Sequence, residues 1–399
     1  MSSEEYLTSA GSIDHLPNNF PFLNAAGFSA VFSAQGSIDL TNEFNTPQGT
    51  NGRDCGTCHL VSSGWGMTPF DGNLLFALTE GTHPLFNIID ANTPTSDVST
   101  VEARYASYSM LRQGKFLRLR KPPATAEFNV TAASDPFNFG TTANLLFFRR
   151  PLPTANFKSH TVMWDGANTV GTDLRAGLVK QARSNVTGAQ QGMPATDAVI
   201  NAIVDQEMAF SHAQLYMWGV GRLDAGGAHG GPAAAAAQPL VAGRFDLYDA
   251  WMGSHHSKRA QIARGQEIFN NVNVPSGRSC AGCHNAANNG QNVNGTMFNV
   301  GTSDASRAKA DMAIYTLQNK TTLETIQTTD PGKGFVTGLW SDVNRFKTPN
   351  IRGLAARPPY FHNGIAATLL DVVRHYENAL GFVFTAHEEA DLVAFLTAL

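Results

Sequence analysis

The sequence is poor in charge. Only 15% of its 399 residues are Asp, Glu, Lys or Arg, and 28 basic side chains face 32 acidic ones for a formal net charge of −4. No basic stripe is available to neutralise phosphates, which argues against a nucleic-acid partner. Apolar runs are short as well. None approaches the ~18–20 residues that cross a bilayer, the longest low-complexity one being Ala233–Ala237, so no membrane span is expected. Methionine is absent after Met312, and cysteine occurs only four times. What remains is 42% hydrophobic with 37 Gly and 19 Pro, a globular and loop-rich composition. The length suggests two or three domains.

All four cysteines fall in two copies of one pattern, Cys55-Gly56-Thr57-Cys58-His59 and Cys280-Ala281-Gly282-Cys283-His284. Two thiols at C-x-x-C spacing lie on one helical turn and can each form a thioether to a porphyrin vinyl group, while the adjacent imidazole reaches the iron. Each motif therefore reads as a covalent haem c with His59 or His284 as its proximal ligand. A redox dithiol does not require the histidine, and a zinc site would pair two such motifs in one small module, whereas these lie 225 residues apart. Haem attachment of this kind occurs outside the bacterial cytoplasm, so a periplasmic or secreted protein is expected. Met1-Ser2-Ser3-Glu4-Glu5 is acidic and has no apolar h-region, which reads as a mature form whose signal peptide was removed or replaced.

The motifs also organise the chain. Arg264-Gly265-Gln266-Glu267-Ile268-Phe269 reads as the opening helix of a cytochrome c domain, with Gly265 allowing close helix packing and Phe269 facing the haem. Thr385 to Leu396 reads as its closing helix, with a capping threonine and acids in the first turn. Gly226 to Pro232 and the alanines after it break all periodicity. The expected division is an N-terminal haem domain over 1–225, a Gly/Ala-rich linker over 226–240 and a C-terminal haem domain over 241–399. In the first half, Phe116 to Lys121 running towards Glu127–Val130 suggests a small β-hairpin, and Ile200 to Trp218 a helix with Ile203, Met208, Leu215 and Trp218 as core. The expected fold class is mainly α, with two cytochrome c-type haem domains and a hairpin insertion in the N-terminal half.

Three stretches of the second half, Lys347-Thr348-Pro349-Asn350-Ile351-Arg352-Gly353-Leu354, Pro359-Tyr360-Phe361-His362-Asn363-Gly364 and Thr368-Leu369-Leu370-Asp371-Val372-Val373, resemble the C-terminal haem domain of bacterial di-haem cytochrome c peroxidases. Met163-Trp164-Asp165-Gly166, followed by Leu178 to Ala182, is similar to that family's N-terminal domain. The motifs occur in the family's order over roughly two thirds of the chain. The methylamine-dehydrogenase maturation enzyme and the di-haem rubber oxygenases are relevant relatives. The resemblance implies one haem with an open face for chemistry and one for electron transfer.

It further implies roles for single residues. The position that holds a methionine ligand in the peroxidases is Tyr376, fourteen residues after His362. Independently, Leu369, Val372, Val373 and Tyr376 fall at i, i+3, i+4 and i+7, so Tyr376 shares a helix's buried face, with His375 about 100° away. Tyr376 as iron ligand, a core tyrosine, His375, Met297 and an open site are the alternatives. Near the first haem, the position of the family's acid/base carboxylate is Gln191, ten residues after Gln181, and Asn185 replaces a proline. Amides donate hydrogen bonds but cannot shuttle protons, so the pocket resembles that of the oxygenases unless an acid from elsewhere, such as Glu207 or Asp205, reaches the iron. Trp164 is implied as a bridge between the haems. His362 is expected beside a haem propionate or backbone, and Arg149, Arg150 and Arg352 are candidate propionate partners.

The function expected is a di-haem oxidoreductase that activates peroxide or oxygen at the N-terminal haem, drawing electrons through the C-terminal haem from a small redox protein or an organic donor. An oxygenase or long-range oxidant of an organic or protein substrate, and a non-catalytic electron carrier, are the other classes. Calcium between the domains, as in some relatives, and the oligomeric state stay open.

Overall fold

The computed structural model describes residues 14–272, 274 and 277–399; the segment Met1–Glu5 lies outside them. It is 32% helical and 17% strand, with ten α-helices among the described residues and several small sheets rather than one large one. No helix among the described residues is long and apolar enough to cross a membrane.

The C-terminal part is built on a helix crossing. Ser257–Asn271 packs across Ala386–Ala398, whose N-terminus is closed by a capping box between Thr385 and Glu388. The helices approach so closely at Gly265 that an ideal Cβ there would lie 1.9 Å from the Asp391 carbonyl oxygen. This opening is what lets Phe269 and Phe395 meet, their ring centroids 5.4 Å apart, in a core with Phe245, Tyr248, Trp251 and Leu392. A third helix, Leu369–Leu380, also begins with a capping box, between Thr368 and Asp371.

Three expectations about the first half change. The helix that starts at Asp197 stops at Ala209, and Phe210–Met217 is a strand lying antiparallel to Gly27–Ser33 in a four-stranded sheet. Ile203 and Leu215 are buried as expected, but Met208 and Trp218 are 42% and 50% exposed. A waiting sheet edge overrides the helical pattern here, since the partner strand is 177 to 190 residues away in sequence and invisible to any local window. Likewise, Phe116–Arg120 and Phe128–Ser134 do not form a hairpin. The first pairs with Leu145–Arg149 and the second with Ile314–Asn319 from the other half of the chain. Pro122-Pro123 between them supplies two residues without N–H groups, unsuited to a tight hairpin turn.

The segment expected as a linker is packed. It holds the helix Pro232–Ala237 on the strands Phe210–Met217 and Gly27–Ser33, with Ala228, Gly230, Gly231, Pro232 and Ala235 buried. The halves are further tied by Arg149, fully enclosed between Asp165 (2.5 Å) and Asp330 (2.6 Å and 2.8 Å). A buried guanidinium satisfied by two carboxylates fixes register between the parts that supply them.

Because the atom facing Gly265 is backbone, a methyl group there forces the helices apart. Gly265→Ala is expected to cost about 3 kcal/mol, read as a lowered midpoint in urea or thermal unfolding; an unchanged midpoint would mean the crossing is not tight.

Candidate haem sites

The two C-x-x-C-H motifs share one local device. After the first, His59 Nδ1 lies 3.0 Å from the Trp65 carbonyl oxygen; after the second, His284 Nδ1 lies 2.6 Å from that of Gly290. In each case the acceptor is six residues downstream. An Nδ1–H donating to backbone fixes the tautomer and leaves Nε2 free to bind a metal. Burial pushes both imidazoles below their usual range, His284 to about 4, so each is neutral and ready to ligate. Burial likewise pushes the Cys58 and Cys280 thiols up to about 12.

At the second motif, Cys280, Cys283 and His284 form part of the wall of a large, mainly apolar cavity to which Phe269 also contributes. The helix Leu369–Leu380 supplies Leu369, Val372, Val373 and Tyr376 to the same wall, the face expected from the i, i+3, i+4, i+7 spacing. Burial, then the two cysteines, push the Tyr376 phenol up, and its hydroxyl has no hydrogen-bond partner among the described residues. His375 is turned away, its Nε2 2.8 Å from the Val300 carbonyl oxygen. Met297 packs instead at Gly166, where an ideal Cβ would sit 2.6 Å from its methyl carbon.

The electrostatics of this region are unusual. Arg150 and Arg352 are buried and Arg357 half-buried, and none meets a carboxylate among the described residues. Arg150 donates to the carbonyls of Met67 (2.5 Å), Pro358 and Pro359; Arg352 to Gly231 (3.1 Å) and Asn288; Arg357 to Asn350 (2.8 Å) and Arg352 (3.0 Å). The Nε atom of all three has no partner, nor has Nε2 of buried His212, which burial and then Arg357 and Arg352 push down to about 3. Burial brings Arg150 down to about 9 and Arg357 to about 10. Buried cations left with carbonyls alone are costly. A porphyrin, with two carboxylates on a flat apolar ring, supplies what both the guanidiniums and the cavity lack, and the residues present fit it.

Arg149 is a correction: its guanidinium is consumed by Asp165 and Asp330 and is not available to a propionate. Arg357 takes its place, a residue between two recognised motifs that no pattern marked. His362 lines the cavity, stacked on Phe346 at 3.9 Å between centroids, with Nε2 3.3 Å from Ser303 Oγ and 3.6 Å from Asp330.

Trp164 joins the two regions. It lines the cavity, donates its indole N–H to the Arg150 carbonyl at 2.8 Å and accepts from the Lys347 amide at 2.9 Å. Arg150 in turn holds Met67, two residues beyond the Trp65 that anchors His59, and Gly66 between them also lines the cavity.

The first motif is enclosed by packing. Cys55 sits against the cluster of Phe44, Trp65, Val186 and Phe210, and Cys58 against that of Met67, Leu85 and Phe86. Of the expected pocket residues, Gln181 and Asn185 are half-buried on the helix Leu174–Thr187. Gln191 is exposed, with a positive φ of 54° at the end of a turn. The buried amide is Gln190, which accepts from the Gln48 amide (2.9 Å), donates to Asn185 Oδ1 (3.0 Å) and reaches to 3.8 Å from Cys55 Sγ.

One acid does enter this side. Glu207 is 3% exposed, its Oε2 has no partner, and burial pushes it up to about 8. Its charge is, after burial, the largest influence raising the Cys55 thiol. The sequence carried a signal: Ile200, Ile203, Val204 and Glu207 stand at i, i+3, i+4 and i+7, with the acid on the core face.

No family profile matches the chain. Among curated proteins it is 28% identical over 173 residues to the cytochrome c peroxidase IdrP1 of Denitromonas iodatirespirans, covering 38% of this chain and 44% of that one. It is 28% identical over 155 residues to the cytochrome c551 peroxidase of Nitrosomonas europaea, covering 38% of each. The matches thus span less than half the length of these relatives. Among solved structures it is similar to a MauG-like protein associated with microbial copper homeostasis, at 17% identity and TM-score 0.38 over 68% of this chain and 76% of that one. It is also similar to Kuenenia stuttgartiensis hydrazine synthase, at 15% identity and TM-score 0.34 over 80% and 87%. By sequence the chain is a relative of the cytochrome c peroxidases, the family that its motifs resemble.

Proposed function

We propose that the protein is a di-haem c-type oxidoreductase that reduces peroxide at the haem of the first motif, with electrons relayed through the haem of the second. The observation that carries this reading is the pair of guanidiniums without a carboxylate, Arg150 and Arg357, in the wall of a cavity that a complete C-x-x-C-H motif also lines, with buried Arg352, likewise unpaired, five residues before Arg357. When bound, the haem irons supply the coordination site and the redox chemistry for breaking an O–O bond. The chain's residues do the rest. Cys55/Cys58 and Cys280/Cys283 anchor the rings, and His59 and His284, oriented through Nδ1, hold the irons. Arg150, Arg352 and Arg357 neutralise propionates. Tyr376, which its helix turns into the cavity, would be the side chain that ligates the second iron opposite the motif. Trp164, whose indole is hydrogen-bonded to the residue that clamps the first motif's loop, is the side chain best positioned to carry charge between the sites.

The oxygenase reading rests on amide donors in the first pocket, Gln181, Asn185 and Gln191; Gln191 is exposed, whereas Gln181 and Asn185 are half-buried, and the buried acid Glu207 favours the peroxidase reading. A small redox protein or organic reductant outside the bacterial cytoplasm completes the scheme as electron donor.

Two measurements test this. A pyridine haemochrome assay is expected to give two haems per chain, both retained in acid acetone; one haem, or haem lost to the solvent, overturns it. Tyr376→Phe is expected to change the spectrum of the second haem and raise its potential, because a tyrosinate ligand stabilises ferric iron. His375→Ala, which removes only a bond to Val300, is expected to leave both nearly unchanged, and the reverse pattern would refute the assignment.

A further inference from the structure

We propose that Glu207 is the proton-transfer group for peroxide at the first haem, entering from the helix Asp197–Ala209 rather than from the loop that carries Gln191. The inference rests on the peroxidase reading above and supplies the group which that reading lacks.

A buried carboxyl oxygen without a hydrogen-bond partner is rare enough in a folded protein to need a cause. The other acids near the first motif are engaged. Asp54 accepts from the Thr57 amide (2.6 Å) and hydroxyl (2.9 Å), and Asp90 holds Arg53 at 2.6 Å. Asp205, two residues before Glu207, is exposed and paired with Arg175 at 2.5 Å. Glu207 alone combines burial, a free oxygen and proximity to Cys55, a point of haem attachment. The helix that carries it packs on the turn Glu43–Asn45, and the Phe44 carbonyl of that turn accepts from the Cys55 amide at 3.0 Å, so helix and motif share one support. Two further buried polar atoms on this side lack partners, Trp65 Nε1 and Thr154 Oγ1, and the Thr154 amide bonds to the Trp65 carbonyl that holds His59. Two orphaned donors and an orphaned acid thus lie among the residues that pack on and support this one motif, and a bound oxygen species would offer such groups partners.

The step balances without another cofactor. Glu207 as carboxylate takes the proton from the inner oxygen of H2O2 and, as the acid, returns it to the outer oxygen. The O–O bond breaks and the outer oxygen leaves as water. Two electrons and two protons, from the external reductant and solvent, release the inner oxygen as the second water, for a net H2O2 + 2H⁺ + 2e⁻ → 2H2O. An acid with ordinary solvation could not hold the proton between the two transfers as well as a buried one whose affinity lies near neutrality.

The test uses the holoprotein and two readouts. Glu207→Gln keeps the volume and removes a buried acid, so it is expected to fold with both haems. Rapid mixing with H2O2 should show the change in the ferric Soret band slowed ~10²-fold in E207Q and unaltered in Asp205→Asn. Infrared difference spectra should show the carbonyl stretch of a protonated carboxyl group in the wild type, shifted in 2H2O and absent in E207Q. A reactive wild type with an equally fast E207Q, or a carboxyl band that survives the substitution, overturns the role of Glu207. A wild type whose spectrum ignores H2O2 overturns the peroxidase reading itself.

Discussion

Three guanidiniums, two buried and one half-buried, with nothing but carbonyl groups around them set the terms for the rest of the molecule. Arg150 comes from one half of the chain and Arg352 and Arg357 from one segment of the other, and each is held by hydrogen bonds that leave its charge uncompensated. Their desolvation has to be offset by something the polypeptide does not provide. An anionic ring that brings its own carboxylates and fills an apolar cavity would meet that need, and on the proposed reading it would tie the fold around the second motif to its prosthetic group. Arg149, next in sequence to Arg150, is the contrast. Enclosed by Asp165 and Asp330 and pushed up by them against the cost of burial, it needs no cofactor and serves as a fixed joint between the halves. Two adjacent arginines thus have opposite roles because only one of them meets acids.

That joint also positions the charge-carrying candidate. Asp165 follows Trp164 directly, so clamping the aspartate fixes the peptide that carries the indole, while Arg150, on the other side of Arg149, receives the indole N–H through its carbonyl. Trp164 is therefore held at both ends by the same pair of arginines, one of which reaches the loop of the first motif and the other the Asp330 region of the second half. Electron transfer over fixed distances calls for this kind of restraint, and it arises here from side chains with no redox role.

Much of the site was legible in sequence because its logic is local. The cysteine spacing, the face shared by Val372, Val373 and Tyr376, the close approach at Gly265 and the threonine caps all follow from helical periodicity and short-range chemistry. The failures share the opposite character. Phe210–Met217 is a strand because Gly27–Ser33 offers it an edge, and Phe128–Ser134 pairs with residues from the far half of the chain. Arg149 and Arg150 could not be told apart without knowing where Asp165 and Asp330 lie. Gln190 and Gln191 could not be told apart either: the first is buried and bonded to Asn185, the second exposed at a positive φ, a distinction of loop geometry that no short-range pattern carries. Glu207 stood in plain view as a charge at the core position of an amphipathic helix, a violation of pattern of the sort that marks function.

The two motifs, built on the same histidine-to-carbonyl device, end in different surroundings, and the difference follows from what each is walled with. The second is flanked mainly by apolar side chains, with the phenols Tyr360 and Tyr376 in the wall and Arg150 and Arg357 without carboxylate partners; such a lining would favour a site closed to small polar molecules. The first is flanked by aromatic packing interrupted by a free carboxyl, an indole N–H and a hydroxyl, none of them satisfied by protein. Unsatisfied polar groups cost stability unless something occupies the space they face. Three such groups stand near the first motif, while the helix at the second turns Tyr376 into the cavity, and this contrast in lining is what the proposed division of labour between the two sites rests on.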